Sequence, residues 1–412
     1  MNKIKSLSSF IWGRFYLFLL PMIILFTIIL SFGSKNSLEY EYESFIKSLN
    51  FMKEDISNEN FGENPRIDEE FLKETRILAY RYKNKHGFYS SDYLDKMSDE
   101  AVSDYYDSLD SDDMWEKEMH YSIYSNFMSG VNEKGLDISE HLASLLPIIS
   151  FFIVIFAILI TSIEESMPIY EFTRMLPWKN TEDLAMKAMI TFVLSLGILA
   201  INSLALVYVL RGTGFANIID YTSIYPQLGK NVLILLAISL IAVSLGFIAG
   251  NFIGHMGLGI IAMFGSYFII YNIELFSISF NNTIKIDFPE RFYAWVGGLS
   301  PFKKTLVSFM NLDTHDYGSI MGFILIAVLI FALALVVAKG NLAERSGYMV
   351  ISRPISIICK FLAVITFANI IPAFFLSFFL SENVILATVL YIVSLLISYK
   401  FFDMLFNIRL KF

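Results

Sequence analysis

Three consecutive stretches decide the class of this chain: LLPIISFFIVIFAILITSI (residues 145–163), EESMPIYEFTRMLPWKNTEDLAMKA (164–188) and MITFVLSLGILAINSLALVYVL (189–210). The outer two are nearly uncharged and about 20 residues long, the length a helix needs to cross a hydrocarbon layer of about 30 Å. The middle one is charged and interrupted by Pro177. Span, loop and span read as a membrane hairpin. Lipid supplies no hydrogen-bond partners to a backbone, so such spans are expected to be helical.

The rest of the chain repeats the pattern. Of 412 residues, 55% are hydrophobic and 16% aromatic. Further apolar runs cover residues 10–32, 232–250, 258–276, 320–338, 355–376 and 384–399, which makes eight expected spans. The first follows Lys3 and Lys5, includes Arg14 and lacks an A-x-A site, so an uncleaved anchor is favoured over a signal peptide. The linker NFIGHMG (251–257) is short enough to force an immediate return into the bilayer. A re-entrant outer segment is expected within residues 281–317. Its centre, RFYAWVGGLSPFKKTLVSFM (291–310), is too broken by Gly297, Gly298 and Pro301 to cross, and reads as a pair of short helices.

Charge gives the expected orientation. Residues 34–142 carry 12 Lys and Arg against 25 Asp and Glu, leaving 19 against 14 for the remainder. An acidic block in an otherwise basic membrane protein is the part expected to be translocated, because basic residues are retained on the cytoplasmic side. Apolar residues at helical spacing within it predict a mainly helical outer domain. The layout is therefore an N-terminus and first span (1–33), an extracytoplasmic domain (34–143), a core of spans two to six (144–338) with the loop 164–188 inside, and a C-terminal loop and hairpin (339–412). Both termini are expected in the cytoplasm of a bacterium, one whose Ile, Lys, Asn, Ser and Phe content suits an AT-rich genome.

Several chemistries lack their residues. The sequence has no G-x-x-x-x-G-K-[ST] phosphate loop and no H-E-x-x-H. Its five histidines are scattered, and Cys359 stands alone, which removes disulfides and cysteine-based zinc. The acidic run DSLDSDDMWEKE (107–118) lacks the glycine of a calcium loop and reads as a solvated helix face. Glu274, near the end of the fifth span, is the intramembrane charge candidate.

The loop 164–188 is acidic yet must lie inside, so its composition is expected to reflect what it touches. Met167, Ile169, Phe172, Met175 and Leu176 supply one apolar face of a short helix that Pro177 ends; Thr181, Glu182 and Asp183 then resemble the capped start of the next helix. An acid, an amphipathic helix, Leu-Pro, a polar turn and a Lys entering a span together resemble the coupling region of ABC-2 type ABC transporter permeases. The resemblance covers about residues 1–340; the hairpin beyond them departs from that family's six-span core.

The resemblance implies a dimeric exporter subunit, paired with a second copy or a related permease. A separate ATPase would hold ATP and Mg, and no cofactor would bind this chain. Glu171, Phe172, Arg174, Met175, Leu176, Pro177, Lys179, Glu182 and Lys187 would dock that ATPase, with Asn251 and His255 as a second inner contact. Trp295, Gly297, Gly298 and Pro301 would form an outer gate. Membrane lipid is an expected partner and nucleic acid is not. An amphipathic substrate such as a peptide fits the aromatic chain and acidic outer domain. A membrane sensor or scaffold with a ligand-binding outer domain is the alternative.

Overall fold

The computed structural model describes residues 2–89, 91–94, 96–107, 109, 112–166, 179–280, 286–340, 347–379 and 384–410. They form a predominantly helical fold. Among the described residues, seven helices are long and apolar enough to cross a membrane, or eight if one sharply bent pair counts as a span. The chain divides into two compact units.

One unit holds residues 18–145 and 198–228. Helix α1 (Asn2–Ser57) runs unbroken through the expected domain boundary at residue 33. The reason lies in the sequence beyond Phe32: Leu38, Phe45, Leu49 and Met52 recur at helical spacing, and all four are fully buried. Phe45 packs on Tyr124 and Phe127 of α4 (Asp112–Ser129). Helices α2 (Glu69–His86) and α3 (Asp99–Asp107) belong to the same unit, and the acidic run 107–118 lies largely on α4. Asp68 caps α2 by accepting from the Phe71 N–H at 3.0 Å, and Gly87 ends it in the left-handed conformation.

Residues well outside 34–143 complete this unit. Phe215 packs 5.0 Å from Phe127, which lies 4.1 Å from Phe45. Strands β1 (Val131–Asn132), β2 (Gly135–Asp137) and β3 (Ile219–Asp220) form a small sheet, with β2 antiparallel to β1 and parallel to β3. Two- and three-residue strands are too short to leave an alternating signal. Gly135 has φ 128° and lies so close to the strand beside it that a Cβ would sit 2.2 Å from the Ile218 carbonyl oxygen. Gly135→Ala is therefore expected to destabilise this unit by about 3 kcal/mol, through strain and backbone collision together. Thermal unfolding of the solubilised protein followed by tryptophan fluorescence checks it. Gly62→Ala, at φ 85° with open space, is the milder control.

The other unit holds residues 1–17, 146–197 and 229–412. Helices α5 (Leu146–Ile158), α6 (Asn180–Arg211, here to Gly197) and α7 (Ile224–Ile248, here from Gly229) supply its first core. The linker 251–257 is not an open loop. Asn251 caps α8 (Phe252–Phe264), accepting from the Gly254 N–H at 2.9 Å.

The expected fifth span, 258–276, is not straight. It breaks at Gly265 into α8 and α9 (Ser266–Ser279), which meet at 90°. Gly265 has φ 53°, and a Cβ there would meet the Val307 carbonyl at 2.7 Å. Val307 ends the second of two short helices, α10 (Phe288–Gly297) and α11 (Pro301–Val307), in the stretch where two were expected. Ser308 ties them to the bend by donating to Met263 O at 3.1 Å, and Thr305 joins Ser319 of α12 (Tyr317–Lys339) at 2.6 Å.

The C-terminal hairpin, α13 (Arg353–Phe379) and α14 (Val384–Asn407), is built into this unit. Ser279 donates to Asn369 O at 2.8 Å, and Asn369 returns a bond to Asn272 O at 2.9 Å, a buried polar node between α9 and α13. At the other end, Ala249 bridges Val350, Gly347 N–H donates to Gly250 O, and Leu410 N–H donates to Gly347 O.

Candidate functional site

A cluster of buried polar residues lies where α5 ends and α6 begins. The last turn of α5 widens into a π-helical turn, Leu159–Ile163, a form concentrated at functional sites. Thr161 and Ser162 lie on it, and Glu164, Glu165 and Ser166 follow; all five are buried. Widening of the turn changes which direction each side chain faces, so a segment that looks like the start of a polar loop is turned inward.

Three charges meet there. Lys187 Nζ lies 3.0 Å from a Glu164 carboxylate oxygen and 3.1 Å from one of Asp183, with side chains 3% and 6% exposed for Lys187 and Glu164. The ammonium also sits 5.2 Å from the Phe247 ring centre on α7. Asp183 occupies the first turn of α6, where a carboxylate also complements the helix dipole. Paired buried charges with hydrogen bonds are tolerated; a lone one is not.

Beside this triad, Ser162 Oγ lies 2.7 Å from His255 Nδ1. A serine within hydrogen-bond reach of a histidine invites comparison with a nucleophile and its base. The surroundings oppose that chemistry. Both side chains are sealed from solvent, and Gly246 of α7 presses so close that a Cβ would lie 2.0 Å from Thr161 Oγ1 and 3.0 Å from the His255 ring. No room remains for a reacting carbonyl. The pair works as an interhelical clasp among α5, α7 and α8.

The structure distributes the expected docking residues unevenly. Glu171, Phe172, Arg174, Met175, Leu176 and Pro177 lie outside the described residues. Lys179 is exposed, and its N–H donates to Glu182 Oε2 at 3.2 Å. The α6 cap is thus this reciprocal carboxylate rather than the expected Thr181 hydroxyl, and the helix opens at Asn180. Lys187 faces inward. Asn251 and His255 are also buried, with the Asn251 amide donating to Gly347 O at 2.9 Å, so their side chains serve this chain's own packing.

At the other candidate site, Trp295 is exposed, Gly297 has open space around it, Gly298 closes α10 and Pro301 opens α11. Glu274 is half-buried on α9 and accepts a hydrogen bond from the Tyr293 hydroxyl. Sequence reading missed Glu164 and Glu165 as interior charges because they adjoin a run of polar loop residues. Their abutment to the apolar run, with no turn residue between, was the available signal. Among the described residues no group of three or more His, Cys, Asp or Glu could hold a metal ion. No family model, curated protein or solved structure matches this chain.

Proposed function

We propose that this chain is the membrane subunit of an ABC-2 type exporter, embedded as eight spans in a bacterial cytoplasmic membrane, with both termini inside and the acidic unit outside. One observation carries the reading. The loop expected to meet an ATPase is bracketed by Glu164 on one side and by Asp183 and Lys187 on the other, and these three form one ion cluster in which Glu164 and Lys187 are buried and Asp183 is partly exposed. A push on such a loop moves both flanking helices together, as rigid-body switching requires. The helix broken at Gly265 and seated on the short helices α10 and α11 supports a gate, since irregular backbone at membrane depth is tolerated where protein shields it. ATP and Mg would be held by the partner, and two such chains would enclose the substrate path.

The favoured cargo is an amphipathic or cationic peptide. The acidic unit, with exposed Tyr93 and Trp115, would attract it by long-range charge and then by aromatic contact. The sensor reading draws on the same unit: α1 joins its apolar and acidic halves in one unbroken helix, a direct route for a ligand signal.

Gentle purification from native membranes separates the two. The exporter reading expects a co-purifying soluble ATPase whose activity is lost from the sample when Leu176→Asp is introduced, with the elution profile of the membrane subunit unchanged. Normal co-purification with that variant, or a partner-free and ATP-silent protein, would overturn it.

A further inference from the structure

A cavity of about 630 Å³ opens where the first turns of α13 meet the end of α14. Tyr348, Arg353, Ser356, Lys360, Phe406 and Asn407 line it, so its donors are a guanidinium, an ammonium, two hydroxyls and an amide. The two cations are not equivalent. Lys360 is committed: its ammonium is hydrogen-bonded to the Asp403 carboxylate and lies 4.8 Å from the Tyr399 ring centre. That pairing offsets the lysine's charge, and none of the described lining residues is a carboxylate. Arg353 is exposed and makes no ion pair among the described residues.

We propose that this cavity binds an anionic phosphate group, presented as the headgroup of a phospholipid. The planar fork of a guanidinium matches two phosphate oxygens at once. Arg353 is also the first residue of a 27-residue helix, where the backbone dipole adds positive potential. Ser356 supplies a further donor one turn along. Immediately beyond, Ile357, Ile358 and Phe361 are each about 60% exposed, an apolar surface along which acyl chains would run. A free phosphate would use the polar wall alone; a phospholipid satisfies both surfaces. Basic pockets between membrane helices commonly hold such headgroups. The inference needs the hairpin to lie in a bilayer and does not depend on export.

The test uses the full-length protein, stripped of lipid in a neutral detergent. Phosphatidylglycerol, phosphatidylcholine and inorganic phosphate are titrated separately, with melting temperature and retained lipid by native mass spectrometry as readouts. Saturable binding of phosphatidylglycerol is expected, weakened about tenfold by Arg353→Gln, the cost of losing one charged hydrogen-bonding partner. Arg353→Lys should fall between the two. Ser356→Leu, which fills the cavity while keeping both cations, should weaken binding as well and guards against a folding defect in the arginine variant. Arg353-dependent stabilisation by inorganic phosphate at equal concentration would keep the phosphate site and overturn its lipid source. Binding of neither anion, or binding indifferent to Arg353, would overturn the site itself.

Discussion

Lys187→Met is expected to lower stability by about 3–5 kcal/mol, enough to prevent recovery of folded protein at physiological temperature. The side chain it removes is the cation shared by Glu164 and Asp183, and Glu165 is buried alongside. Methionine preserves the aliphatic stem and the volume, so packing against Phe247 survives and the loss is electrostatic. The buried Glu164 and the partly exposed Asp183 would then face each other with no counter-charge, a situation costlier than having no charges there. That difference supplies the check. Adding Glu164→Gln and Asp183→Asn to the Lys187→Met chain removes the uncompensated charge and should recover most of the lost stability. Thermal unfolding in detergent, followed by size-exclusion fluorescence, ranks the three proteins. Equal melting of Lys187→Met and the parent would mean the triad does not hold the two helices. A triple variant no better than the single one would assign the loss to shape rather than charge.

Much of this architecture was legible beforehand. Runs of about 20 apolar residues have few alternatives to crossing a bilayer, so the helical membrane class and the position of most long apolar helices follow from length alone. The two short helices near residue 300 were readable because Gly297, Gly298 and Pro301 punctuate an apolar stretch. What stayed hidden depends on distant parts of the chain. The Gly265 bend is invisible locally, since glycine within an apolar run is ordinary in membrane helices; the cause is the Val307 carbonyl pressed against it. The continuation of α1 past residue 33 was obscured by a change of composition that is not a change of conformation. For the candidate site, Lys187 was singled out for the wrong surface. Its charge suggested an exposed docking contact, while its ion partners lie 4 and 23 residues back in the chain and draw it inward.

Gly254→Ala carries the second large expected effect, because here intrinsic preference and tertiary packing point in opposite directions. Gly254 lies in the first turn of α8 with ordinary helical backbone, where alanine is favoured over glycine by about 1 kcal/mol. A Cβ would nevertheless sit 1.7 Å from the Met349 carbonyl oxygen and 2.6 Å from its carbon. Both are backbone atoms, so no rotamer change relieves the clash. The segment bearing Met349 must withdraw, and with it go the Ala249–Val350 bridge, the Gly347 and Ile351 hydrogen bonds to Gly250 and Ile248, and the Asn251 amide bond to Gly347. Forcing packed backbone apart costs about 3 kcal/mol, well beyond the helical gain. Gly257→Ala and Gly259→Ala lie on the same helix with nothing within 4 Å, and should be neutral or slightly stabilising. The measurement is the melting temperature of the three variants beside protection of residues 347–351 from limited proteolysis. A large drop with early cleavage in Gly254→Ala alone establishes that the turn at 249–254 is clamped by the segment leading into the C-terminal hairpin. Equal behaviour of all three alanines would show that α8 stands clear of it, and the hairpin would then lose its tie to the core at this end.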